Sequence, residues 1–173
     1  MEDIILATTS QTRITGFESL NIDFKAEGSN VYEYGSDRPK KPEELVRYLS
    51  KLKAEAVSKN HKQGIVIGFD SVGYFNNQIL EKPKSREEAF RRLSSLSGNQ
   101  FDFYTGIYIT DFSTSQGISN IVKTKVKLRK IVEEEINKYL DEDDEFTKWS
   151  LGFNPWRSYA STFIEEIAGS YTN

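Results

Sequence analysis

The chain has 173 residues, of which 37% are hydrophobic and 13% aromatic. That is enough to build the core of one domain spanning 1–173, with two lobes around a cleft as the other arrangement a chain of this size permits. Twenty-three Lys and Arg against 26 Asp and Glu leave a net charge of −3. This excludes the global positive field that draws a protein to nucleic acid or to an anionic membrane, so a polyanionic ligand has to be met by a local cluster of cations. The absence of cysteine excludes disulfides, zinc–thiolate sites and thiol nucleophiles.

The first segment, Met1–Arg13, has only four apolar residues in a row, too few for a signal peptide or a membrane span. The expected location is the cytoplasm. Ile4–Ala7 predicts a short buried strand. Thr8, Thr9 and Ser10 follow as a hydroxyl run, and Ile14, Phe17 and Leu20 then recur at helical spacing, so Thr9 or Ser10 is the expected N-cap. Residues 24–41 read largely as a loop. Pro42 opens a helix to about Lys59 with Leu45, Leu49, Leu52 and Ala56 on its apolar face. Gly64–Gly68 predicts a strand buried on both faces that ends at Phe69–Asp70. Val72–Phe75 and Ile79–Leu80 flank Asn76–Asn77, a tight hairpin. Ser85 and Glu88 form a capping box for a helix ending near Gly98.

Two further strands are expected over Phe101–Ile109 and Ile121–Leu128, the second with Lys123, Lys125 and Lys127 on its polar face. A helix over Ile131–Leu140 ends in the acidic run Asp141–Glu145, read as a solvated helix end. Phe163–Ile167 closes with a strand or a short helix. Strands and helices alternate while hairpins intrude, which places the fold in the α/β class, with a mixed, twisted sheet and flanking helices.

Polar residues in places suited to apolar ones mark the candidate chemistry. The strand-to-helix turn Thr8–Arg13 offers hydroxyls and unpaired amides at a helix N-terminus, an anion seat on which Arg13 could close, or simply a capped helix. Lys53 falls at the edge of the apolar stripe of its helix, where it either snorkels outward or reaches into a polar cleft. Asp70 ends the most apolar strand and suits a hard cation such as magnesium, or bonds the amides of a turn. Pro83 holds Lys82 in an extended segment. His61, the sole histidine, reads as exposed and idle. Trp149, Trp156 and Tyr159 read as packing under a loop. Neither a phosphate loop nor a dinucleotide fingerprint is present.

Taken in order, LATTSQTR, Glu33, LKAEAV, IVIGFDS, LEKPKSREEAFRRLSSLSG, YTGIYI, VKLRKIVEEEINKYL and FIEEIAGSY resemble the Maf family of nucleoside triphosphate pyrophosphatases, relatives of the inosine triphosphatases. The resemblance implies an elongated, two-lobed molecule with a central cleft, often a homodimer. It also implies hydrolysis of a nucleoside triphosphate to monophosphate and pyrophosphate with Mg²⁺ or Mn²⁺. By position, Asp70, Glu33, Lys53 and Lys82 are then catalytic. Thr8, Ser10, Arg13, Lys53, Ser71 and Lys82 bind substrate, and Asp70 and Glu33 serve the metal. The favoured substrate is dTTP, UTP or a modified nucleotide. Inosine or xanthosine triphosphate, or a non-catalytic role in septum regulation, are the alternatives. No nucleic acid and no membrane are expected as partners. Two departures stand out: Gln11 and Thr12 replace a proline and an arginine, and LGFNPWRSYAS replaces a glycine-rich turn bearing a glutamine. The chain stops at Asn173, earlier than such proteins usually end, and the expectation is a shortened C-terminus.

Overall fold

The computed structural model describes residues 3–111, 114 and 116–173. Among them are seven strands in one mixed sheet and four α-helices. In chain order they are β1 (Ile4–Ala7), α1 (Gln11–Glu18), β2 (Lys25–Ala26), α2 (Pro42–Ser58), β3 (Ile65–Phe75), β4 (Gln78–Leu80), α3 (Arg86–Leu96), β5 (Gln100–Asp111), β6 (Gln116–Leu128), α4 (Glu133–Glu142) and β7 (Ile164–Ala168). The strand order is β2-β1-β3-β5-β6-β7, with β4 paired to β3. No helix among the described residues is long and apolar enough to cross a membrane. The chain forms two compact units. One runs through Asp70 and resumes over Thr105–Ile121; the other comprises Ser71–Tyr104 and Val122–Asn173.

In the first unit, β1 lies parallel to β2 and to β3, with Ile4 opposite Ile65 and Ala7 opposite Gly68. Parallel strands are covered on both faces, and both covers are present. Ile5, Ala7 and Val66 pack against Ala54 and Val57 of α2. Leu6, Ile67 and Phe69 pack against Phe17 of α1 and Phe24. Phe17 stands edge-on to Phe69 with ring centroids 5.7 Å apart. Two glycines let α2 lie directly on the sheet. A Cβ on Gly68 would come within 2.1 Å of the Ser50 carbonyl oxygen, and one on Gly106 within 2.2 Å of that of Val46.

The structure shifts two sequence expectations here. The buried side of α2 is Leu45, Val46, Leu49, Ser50, Ala54 and Val57, whereas Leu52 and Ala56 are half-buried. Secondly, β3 does not end at Phe69–Asp70. It continues through the buried Val72, and Gly73–Phe75 gain a new antiparallel partner in β4. Asp70 therefore sits inside a strand, not at its carboxyl end. Asn76 and Asn77, both with positive φ, make the tight turn between β3 and β4.

The second unit is held by one cluster in which Ala89, Leu93 and Leu96 of α3 meet Ile136, Tyr139 and Leu140 of α4, with Phe153 and Phe163. Ser85 caps α3 by accepting the Glu88 amide at 3.2 Å. β7 pairs antiparallel with β6. In the acidic run Asp141–Glu145, Asp141, Glu142 and Asp144 are exposed as a solvated helix end requires, but Asp143 is not. Asp143 is buried, and its carboxylate accepts from the Tyr139 hydroxyl, from Trp149 Nε1 at 3.1 Å and from the Glu145 amide at 2.9 Å. A carboxylate with that many donors tolerates burial. Of the three aromatic residues expected to pack, Trp149 and Tyr159 find hydrogen-bond partners, but Trp156 is 55% exposed.

Candidate active site

The first unit gathers four of the expected site residues. On β3, side chains alternate between faces, so Asp70 shares the face of Gly68, beneath α2, while Phe69 points to α1. Lys53 stands one helical turn from Leu49 and from Val57, on the buried side of α2, and only 13% of its side chain is exposed. It reaches inward rather than snorkelling out. Its Nζ lies 2.6 Å from Asp70 Oδ1 and 3.0 Å from Glu33 Oε1. Glu33 arrives on the loop between β2 and α2. No local pattern marked it, because only the ammonium of Lys53, distant in sequence, gives it a place.

Arg13 completes the group from α1. Its Nη1 donates to the Phe69 carbonyl at 3.5 Å, and its guanidinium carbon lies 5.5 Å from the centre of the Phe69 ring. Burial lowers the pKa of Arg13, and the charges of Asp70 and Glu33 work against that shift. Asp70 moves the other way. Burial raises its carboxyl above the ordinary range, with the Lys53 ammonium opposing. A carboxylate whose basicity is raised in this way accepts a proton more readily than an exposed one. Asp70 Oδ2 is buried and lacks a hydrogen-bond partner among the described residues, an expensive condition for a carboxylate oxygen unless a ligand meets it.

The remaining predicted residues are placed differently. Thr8 is buried, and its hydroxyl accepts the Ser10 amide at 3.1 Å, which shapes the turn from β1 into α1. Ser10 is the N-cap by backbone geometry, without a side-chain capping bond. Ser71 follows Asp70 on β3 and faces the opposite side of the strand. Ser71 and Lys82 belong to the second unit, and Lys82 is exposed. Among the described residues, no group of three or more acidic or histidine side chains could hold a metal ion. Asp70 and Glu33 meet as a pair around Lys53.

Sequence reasoning missed three clusters. His61 is not idle, since its Nε2 lies 2.9 Å from Glu27 Oε2, beside an Asn60 bond to the same carboxylate. Asp143 anchors Trp149 and Arg157, which no sequence pattern pairs with it. Arg92 lies within the apolar face of α3, between Ala89 and Leu96 at helical spacing. An arginine in that register was a usable signal, because a guanidinium so placed needs acceptors.

The family model described as Maf-like protein matches residues 3–173. A dTTP/UTP pyrophosphatase of Clostridium botulinum is 34% identical over 176 residues, covering 100% of this chain and 90% of its own. A dTTP/UTP pyrophosphatase of Thermoanaerobacter sp. is 36% identical over 171 residues, covering 98% and 87%. Among solved structures, the Ham1 protein of Staphylococcus aureus superposes with a TM-score of 0.52 over 73% of this chain and 72% of that one. At 21% identity that likeness concerns the fold alone.

Proposed function

The chain belongs to the Maf family, and from that premise we propose that it hydrolyses dTTP or UTP to the nucleoside monophosphate and pyrophosphate. The observation that carries this reading is the convergence of Arg13, Glu33, Lys53 and Asp70 in one unit, with one buried carboxylate oxygen left unmatched. Full-length identity to relatives named for that activity supports it.

In this reading a water oxygen attacks phosphorus, the α–β phosphoanhydride bond breaks, and pyrophosphate leaves with the bridging oxygen. Asp70 takes the proton of the attacking water, which its raised pKa favours. Lys53 and Arg13 donate to phosphate oxygens, a role that requires Lys53 to exchange part of its carboxylate contact for substrate. Lys82 and Ser71 are assigned to phosphate binding on family position alone.

The donor set fits a divalent cation. Two carboxylates and two cations leave the cluster of Arg13, Lys53, Glu33 and Asp70 formally neutral, which gives a triphosphate no net attraction. Magnesium is usually held by one or two carboxylates with phosphate oxygens and water completing its shell, and Asp70 Oδ2 with Glu33 supplies such a pair. Bound there, Mg²⁺ or Mn²⁺ would neutralise phosphate charge and lower the pKa of water. The same reading places the enzyme in the cytoplasm as a homodimer.

The test is pyrophosphate release from dTTP, UTP, the other canonical triphosphates, ITP and XTP, with Mg²⁺, Mn²⁺ or a chelator. Metal-dependent release fastest on dTTP and UTP is expected. Preference for ITP or XTP would move the enzyme to the purine class. Binding of nucleotide with no pyrophosphate formed under any metal would overturn catalysis altogether.

A further inference from the structure

The connection from β4 to α3 carries Lys82, and within the second unit α3 grips that connection on both sides of it. On the upstream side, Arg92 Nη1 donates to the Glu81 carbonyl. Downstream, Glu88 Oε2 accepts the Lys84 amide at 2.8 Å, and Ser85 Oγ accepts the Glu88 amide. The two grips are one unit, because Arg92 Nη2 donates to Glu88 Oε1 at 3.1 Å across one helical turn. The buried Pro83 stiffens the segment in between. Arg92 is 10% exposed, so this guanidinium is committed to its acceptors rather than to solvent. Its Nη1 also donates to the Ser150 carbonyl at 2.5 Å, tying the same connection to the segment after α4.

From this we infer that Arg92 and Glu88 are positioning residues for Lys82. Their bonds fix the backbone on either side of Lys82, so that an exposed, flexible ammonium departs from a rigid base. The inference rests on the reading that Lys82 holds substrate phosphate. Fixing the stem of a lysine lowers the entropy lost when its ammonium engages a phosphate, and so appears in substrate affinity. Arg92 itself donates to main-chain carbonyls and a carboxylate, which leaves it a role through Lys82 and not in contact with substrate.

Three substitutions of the full chain test this: Arg92→Lys, Glu88→Ala and Lys82→Ala, singly and with each of the first two combined with the third. Steady-state pyrophosphate release gives kcat and KM, and thermal unfolding confirms that each variant is folded. Arg92→Lys keeps the charge but cannot reproduce the fork, so loss of position is separated from loss of charge. It and Glu88→Ala should each raise KM about tenfold with kcat nearly unchanged. Once Lys82 is already alanine, neither should raise KM further, because residues acting through one group are not additive. A merely structural role would not show that dependence on Lys82. If Lys82→Ala raises KM while the other two leave it unchanged, or if the effects multiply, the clamp is refuted and the phosphate role of Lys82 stands. If Lys82→Ala itself leaves KM unchanged, the phosphate role fails and the clamp falls with it.

Discussion

One ammonium serves two carboxylates at Lys53, and burial decides how Asp70 behaves. Asp70 is buried, has Lys53 on one oxygen and no hydrogen-bond partner among the described residues on the other, and its pKa is raised by burial. A base of raised pKa is protonated over a wider acidic range, so activity depends on its loss of that proton. That holds without metal, and a divalent cation on Oδ2 opposes it, so the acid limb of kcat/KM should move to lower pH as metal is raised, and Asp70→Asn should lower kcat by roughly 10² or more. A pH–rate profile of wild type at rising metal, with the variant assayed at saturating metal, checks both. Near-full turnover in Asp70→Asn would remove Asp70 from the chemistry. Lys53→Ala releases two carboxylates at once, and should raise KM for the triphosphate through like-charge repulsion, read in the same assay.

Helix α2 delivers that ammonium, and it can do so only because the sheet beneath it lacks side chains at two points. Gly68 faces Ser50 and Ala54, and Gly106 faces Val46, both at distances no Cβ could occupy. Gly68→Ala must push α2 off the sheet, carrying Lys53 away from Asp70. It is expected to destabilise by about 1–3 kcal/mol, the usual cost of overpacking, and to reduce activity in the fraction that remains folded. Urea unfolding with parallel assays would show both, and an unaltered Lys53–Asp70 geometry with full activity would contradict it. This contact also marks what could be read from the chain alone. The ends of α2, the capped start of α3 and the Asn76–Asn77 hairpin were legible, because each depends on a few adjacent residues. The burial of Lys53 was not, since periodicity placed it at the edge of a stripe whose true orientation depends on Gly68. Nor was the middle position of Asp70 in β3, because the change of partner from β1 to β4 lies outside any local pattern. Glu33 was reached through the family resemblance, without any signal of its own.

Among the described carboxylates whose pKa is shifted by the fold, two groups respond to acid in opposite directions. Glu135 is the clearest of the first group. Arg129 binds it two-pronged, at 2.6 and 2.9 Å, the Val132 amide adds a third bond, and its pKa is lowered to about 2. Asp3 is lowered by its bond to Lys25, Glu27 by its bonds to Asn60 and His61, and Glu145 by its bond to Lys148. A group whose pKa is depressed on folding stabilises above its ordinary value, and that contribution is lost as pH falls toward the depressed one. For Glu135 the window runs from 4.5 down to about 2. Asp70 has the opposite sign. Its contribution is full below the ordinary carboxylate range and is lost as pH rises through the raised value. The unfolding free energy should therefore fall below pH 4.5, the ordinary value of Glu135. Glu135→Gln should flatten that acid limb, with a cost at neutral pH of about 1 kcal/mol or less, as expected for an ion pair exposed to solvent. Asp70→Asn should instead be more stable than wild type at neutral pH, with the difference closing in acid. Denaturant unfolding from pH 3 to 8 distinguishes the two variants. A neutral-pH loss of stability in Asp70→Asn would mean that Lys53 more than offsets the burial of that carboxylate, and the raised pKa on which its role as a base depends would have to be given up.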